Sequence, residues 1–198
     1  MGDMRDLPLG FADPVGDAQV AFRAALSALS RPGEVVQCRA SVPTVQGLMP
    51  ATAALLLALT DHETPVWWAR IEPARWLQFH TGAPSVARPD EAAFAVVAQD
   101  LVVPDLTRLN AGTDESPERS ATLVFELPSL SGGGRTEWSG PGLREPKAMH
   151  LAGVSPAFWE QWQHNHAGFP SGVDVFFVYG RQLVGLPRTT RVLSREGR

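Results

Sequence analysis

Apolar positions along the chain recur with two periods, one near 3.6 and one near 2, with turn residues between them. From residue 18 to residue 30, Ala18, Phe22, Ala25, Leu26 and Leu29 fall on one helical face. Asp13-Pro14 or Asp17 can cap this helix, and Arg31-Pro32-Gly33 stops it. Residues 49–59 are apolar almost all round, which predicts a second and central helix. Short apolar runs predict strands over 35–38, 65–68, 93–97, 123–127, 173–179 and 182–186. Gly180-Arg181 is a tight turn, so the last two strands form a hairpin. A short helix is expected over 73–79, one or two helical turns over 104–110, and a helix over 156–166 with Phe158, Trp159 and Trp162 on one side.

The remaining segments are less regular. Residues 1–12 read as an arm whose Met4, Leu7, Leu9 and Phe11 can dock on the protein or on a partner. Residues 110–119 form a polar loop with Gly112 as its flexible point. Residues 144–154 show no clear period, and residues 187–198 form a polar, basic tail. Helices and strands alternate in the first half, and strands cluster in the second. This order predicts one domain over residues 1–198: a three-layer α/β sandwich with a mixed sheet and an antiparallel edge.

Composition narrows the function classes. The 198 residues are 44% hydrophobic with a net charge of -4, so no basic field covers the molecule and nucleic acid is a poor partner. The longest apolar run, 51–59, is too short for a bilayer, and the acidic N-terminus lacks the pattern of a signal peptide. A soluble cytoplasmic protein is expected. Cys38 is the only cysteine, so an internal disulfide or an iron–sulfur site cannot be built from it. Lys147 is the only lysine, so any Schiff base has to use it.

The most suggestive stretch is Ser129-Leu130-Ser131-Gly132-Gly133-Gly134-Arg135-Thr136. Glycines flanked by hydroxyls and an arginine suggest an anion cradle. Yet the stretch lacks the lysine of a nucleotide-binding loop and the glycine spacing of a dinucleotide fingerprint. A tight connection between two strands is the simpler reading. His164 and His166 are two apart and point to different helix faces, whereas His80 leaves a short helix at a Gly/Pro turn, where a side chain can face a cleft. Arg188-Thr189-Thr190 can bind an anion or dock the tail. The six tryptophans include Trp67-Trp68, which point to opposite faces of a strand, and each is expected in the core. No catalytic residue and no metal site emerges from spacing, which favours an interaction subunit over a self-sufficient enzyme.

An ordered set of motifs resembles a known family. Asp17-Ala18-Gln19 with Phe22-Arg23, Ser30-Arg31-Pro32-Gly33, Thr64-Pro65-Val66-Trp67 and Phe79-His80-Thr81-Gly82-Ala83-Pro84 come first. Ser129-Leu130-Ser131-Gly132-Gly133, Gly140-Pro141-Gly142, Phe169-Pro170-Ser171-Gly172-Val173-Asp174 and Leu186-Pro187-Arg188-Thr189-Thr190 follow in the same order. Together they resemble the PhnH subunit family of the carbon–phosphorus lyase system, over nearly the whole chain. The resemblance implies phosphonate catabolism and a core complex with PhnG, PhnI and PhnJ partners. That complex forms a ribose 1-alkylphosphonate 5-triphosphate from ATP and an alkylphosphonate. It implies a homodimer when alone, no cofactor, no established catalytic residue, and a fold like that of the pyridoxal-phosphate-dependent transferases without the cofactor.

Two readings of the chain follow. In the first it is a non-catalytic or accessory subunit. In the second it binds a phosphonate or nucleotide at a residual anion site lined by His80, Ser131, Arg135 and Arg188. A pyridoxal-phosphate enzyme using Lys147 is a weaker third.

Overall fold

Asp13 starts the first helix as its N-cap. Its carboxylate accepts from Val15 N (3.2 Å) and Gly16 N (3.1 Å), and Asp17 returns a bond to Asp13 N at 2.9 Å. Both acids proposed as caps therefore act together. The computed structural model describes residues 7–71, 73–99, 101 and 103–194. The helices are α1 (Pro14–Ser30), α2 (Pro50–Leu59), α3 (Ala74–Thr81) and α4 (Pro156–Ala167). The strands are β1 (Val36–Gln37), β2 (Val66–Trp68), β3 (Ser85–Val86), β4 (Phe94–Val97) and β5 (Thr122–Glu126), then β6 (Thr136–Ser139), β7 (Lys147–Met149), β8 (Asp174–Tyr179), β9 (Gln182–Leu186) and β10 (Arg191–Ser194). Short 3-10 turns occupy Pro89–Glu91, Leu106–Arg108 and Pro117–Arg119.

Seven strands form the main sheet in the order β1-β9-β8-β5-β4-β2-β3. Strands β3, β2, β4, β5 and β8 run parallel; β9 and β1 add an antiparallel edge. The β8–β9 hairpin turns at Gly180-Arg181 as the sequence predicts. The register sets Trp68, Val96, Val124, Phe176 and Gly185 in one row across the sheet. The side chains of that row pack against α1, α2 and α3, while their strand neighbours Ala95, Leu123, Phe125, Val175 and Phe177 pack against α4. Alternation along each strand thus sorts two cores onto two faces, and Trp67 and Trp68 divide between them. Mixed sheet and helical cover on both faces agree with the predicted α/β architecture.

α1 differs from the sequence reading. Its inner face is Ala21, Ala24, Ala25 and Ala28, while Phe22 and Leu26 stay 53% and 57% exposed. The cause is the approach of the helix to the sheet. A Cβ on Gly185 of β9 would lie 2.5 Å from the backbone carbon and oxygen of Ala28. A helix seated that close turns methyl groups inward, so the predicted face holds for Ala25 and Leu29, which pack on the core, but not for Phe22 and Leu26.

The second sheet has three antiparallel strands in the order β10-β6-β7. One expectation is corrected here: residues 187–198 are not wholly a tail, because β10 pairs with β6 from Arg191↔Ser139 to Ser194↔Thr136. The glycine stretch connects two strands as expected, but β5 lies in the large sheet and β6 in the small one. The stretch is a crossover between sheets. Each glycine has its own circumstance. Gly132 has φ +81°, and a Cβ on Gly133 would lie 2.0 Å from Leu151 O. Gly134 has open space around it. Lys147, expected in an irregular segment, sits half-buried on β7.

Candidate functional site

The crossovers of the main sheet diverge between β2 and β4. From β2 the chain passes through α3, on the α1–α3 face, to β3 at one edge. From β4 it moves the other way, through Leu106 and Leu109 on the opposite face, to β5, and then through α4 to β8. Outside the carboxyl ends of the strands at such a switch is where open α/β sheets bind ligands. Two residues past Trp68, Val96 and Val124 come Arg70, Ala98 and Glu126; Glu126 closes β5, whereas Arg70 and Ala98 lie just beyond the ends of β2 and β4.

Glu126 is the charged group most deeply held there, 3% exposed. Its Oε1 accepts from Met49 N, the N-cap of α2, at 2.6 Å. α2 begins Met49-Pro50 and has no side-chain cap of its own. A carboxylate 77 residues away in sequence does that work, favoured by the positive end of the helix dipole. The same helix start is tied to the β8–β9 turn: Ala51 N donates to Gly180 O at 3.0 Å, and Gly180 N donates to Met49 Sδ at 3.1 Å. Arg70 is half-buried, and its stem runs beside Gly47, where a Cβ would come within 3.8 Å of Arg70 Cδ. Thr52 Oγ1 and Trp68 Nε1 are buried without a hydrogen-bond partner among the described residues. Among the described residues no group of three or more His, Cys, Asp or Glu could hold a metal ion. Burial pushes the Cys38 thiol up, away from the reactive thiolate.

The four residues singled out in the sequence lie elsewhere and do not share a site. His80 Nε2 donates to Pro8 O at 2.9 Å, and Trp76 Nε1 donates to the same carbonyl at 3.1 Å. His80 thus fastens the N-terminal segment onto α3. Ser131 is exposed on the crossover, where its amide N–H and its hydroxyl both meet Ser129 Oγ at 3.1 Å. Arg135 is exposed at the start of β6. Arg188 lies near the far end of that strand, because Gly140 abuts Thr189 O. The strand's length puts roughly 14 Å between the two arginine positions.

Arg188 is fully engaged. Its Nε donates to Asp174 Oδ1 (3.2 Å), Nη1 to Pro117 O (2.9 Å) and Pro170 O (3.3 Å), and Nη2 to Asp174 Oδ2 (2.6 Å) and Ser120 Oγ. All five guanidinium N–H groups have protein acceptors, leaving none for an anion. Arg188 therefore pins the start of β8 and two loops together.

Sequence reasoning missed Glu126 and Arg70. Arg70 carries no motif. Glu126 did give a signal: it is the one charge in the buried run Leu123-Val124-Phe125-Glu126-Leu127. A carboxylate inside such a strand has to have a partner.

The sequence matches the profile of a family described as bacterial phosphonate metabolism protein (PhnH) over residues 9–193. It is 36% identical over 190 residues to the alpha-D-ribose 1-methylphosphonate 5-triphosphate synthase subunit PhnH of Rhizobium meliloti (strain 1021), covering 94% of each chain. It is 32% identical over 179 residues to HtxG of Stutzerimonas stutzeri, named as a candidate C–P lyase subunit, covering 88% of this chain and 85% of that one.

Proposed function

The chain belongs to the PhnH family of bacterial phosphonate metabolism, and from that premise we propose that it is an accessory, non-catalytic subunit of a carbon–phosphorus lyase core complex. In this role it supports ATP-dependent formation of ribose 1-alkylphosphonate 5-triphosphate in the cytoplasm, alongside PhnG-, PhnI- and PhnJ-type subunits. Alone it is a homodimer, a cofactor-less relative of the pyridoxal-phosphate-dependent transferase fold. The observation that carries the reading is the end-to-end match, 94% of both chains, to a protein named as a synthase subunit. Outward-facing Phe22 and Leu26 also suit a chain built to be covered.

The test is co-expression with the neighbouring lyase subunits. The expected result is recovery of this chain in one complex with them. Turnover of ATP and methylphosphonate to a ribosyl phosphonate by the purified chain alone would overturn the accessory role.

A second reading, a subunit that binds a phosphonate or nucleotide, is favoured by one observation: the reversal of crossover direction between β2 and β4, the kind of switch point at which open α/β sheets bind ligands. His80 is engaged with Pro8 and Arg188 with Asp174, Pro117, Pro170 and Ser120, so this reading rests on the switch point rather than on an anion site lined by His80, Ser131, Arg135 and Arg188. Calorimetry with ATP, methylphosphonate and pyrophosphate tests it; absence of heat at millimolar ligand would end it.

A further inference from the structure

α1 shows solvent its larger side chains. Val15, Phe22 and Leu26 are 70%, 53% and 57% exposed, and Gln19, Arg23 and Ser30 complete the same face. The alanine side of the helix has no room for them, because Ala28 lies against Gly185. The outer face is thus fixed by the fold and cannot be relieved by rotating the helix. Its one charge is Arg23, and no carboxylate occurs in the sequence between Asp17 and Glu34. Phenylalanine, leucine and an arginine together have the make-up of an interface core.

The charge pattern argues against a second copy as the occupant. Two α1 helices that bury Phe22 and Leu26 on each other across a two-fold axis bring their Arg23 side chains together with no acid between them. A shifted pairing that brings Arg23 to Asp13 of the other copy carries Leu26 past Pro14, where the opposing helix begins. One arrangement opposes like charges, and the other leaves Leu26 uncovered.

We propose that the outer face of α1, Val15, Phe22 and Leu26 around Arg23, docks on another subunit of the lyase complex, against an apolar surface that places a carboxylate opposite Arg23. This rests on the accessory-subunit reading and names the surface that serves it.

The experiment co-expresses tagged chain with the PhnG-, PhnI- and PhnJ-type subunits and measures their capture. The variants are Phe22→Glu, Leu26→Glu, Arg23→Glu and, as a control on α3, Phe79→Glu, which is 54% exposed. All four sites are solvent-exposed, and a thermal melt of each variant confirms folding. Phe22→Glu and Leu26→Glu are expected to reduce capture tenfold or more, in the range of interface hot spots. Arg23→Glu is expected to reduce it and to abolish its dependence on salt. If the natural chain captures nothing, the accessory reading and this inference both fall. If the natural chain and Phe22→Glu capture equally, the reading stands and the inference alone is overturned. Equal loss from Phe79→Glu overturns it as well, as does a homodimer that Phe22→Glu converts to monomer.

Discussion

Alanine placed in turn at Gly132, Gly133 and Gly134 should give three different outcomes. At Gly133 the added Cβ would lie 2.0 Å from Leu151 O, 2.3 Å from Leu151 C and 2.7 Å from Ala152 N. All three are backbone atoms, so no rotamer change relieves the clash. The strands must part by more than an ångström. That strains the bond from Gly133 N to His150 O, 2.8 Å long, and the bridge between Ser129 and Ala152. It also lifts Leu151 and Met149, which are 2% and 6% exposed, from the core. Overpacking of this kind costs about 1–3 kcal/mol and a backbone hydrogen bond about 1, for a combined loss of about 2–4 kcal/mol.

At Gly132 no atom lies within 4 Å, but φ is +81°, so the cost is conformational, about 1 kcal/mol. At Gly134 neither restriction applies, and alanine should stabilise by about 0.4–1 kcal/mol through the unfolded chain. Urea unfolding of the three variants, with m-values checked for constancy, measures each difference. The expected order of damage is Gly133, then Gly132, then Gly134. A Gly133→Ala protein within about 0.5 kcal/mol of the parent, or a Gly134→Ala protein that is the worst of the three, would refute the reasoning.

Gly185→Ala sets a Cβ 2.5 Å from the backbone of Ala28 and should push α1 off β9; a loss of about 2 kcal/mol is expected in the same assay, and an unchanged midpoint would contradict the close approach. Arg188→Met leaves Asp174 without its ion pair in a site where the two side chains are 13% and 21% exposed; unfolding should become easier by about 2–4 kcal/mol, and Arg188→Lys should recover only part of this because one ammonium cannot reach all the acceptors. The Asp17 carboxyl is held below the usual carboxylate range by the bond from Ser41 N and then that from Asp13 N. Its contribution is therefore present above the unfolded carboxyl's pKa and lost as pH falls through the lower folded value. The gap in melting temperature between parent and Asp17→Asn should be constant near neutrality and begin to close below about pH 4; a gap that does not narrow as the pH is lowered further would argue against this role.

Local pattern revealed what local physics decides. The β8–β9 hairpin was legible because an apolar run, Gly180-Arg181 and a second apolar run suffice to specify it. The helix over Pro156–Ala167 was legible from its aromatic side, and Ser155 caps it through a hydroxyl bond from Phe158 N. α1 was legible as a helix but only partly in its orientation, because the deciding contact lies on Gly185, more than 150 residues away. β10 was hidden in a polar sequence whose pairing partner, β6, is itself short. Glu126 was visible as an oddity, but its purpose, capping α2, depends on where a distant helix begins. His80 and Arg188 were singled out from their motifs, but not for the work they do. In the fold each fastens chain to chain: His80 holds Pro8, and Arg188 holds Asp174, Pro117, Pro170 and Ser120.

The pairing of β10 with β6 bears on when the molecule can become whole during its synthesis. Strand β6 emerges from the ribosome before either of its partners and can pair with β7 first; its other side stays unpaired until residues 191–194 have been made. Trp162 waits on the same event, since its indole N–H donates to Thr190 O at 3.0 Å. The main sheet, complete once β9 has been made, can therefore assemble first. The small sheet closes after the main one, and a nascent chain stalled near residue 187 would leave β6 unpaired on one side, an invitation to misassembly that the pairing of β10 withdraws.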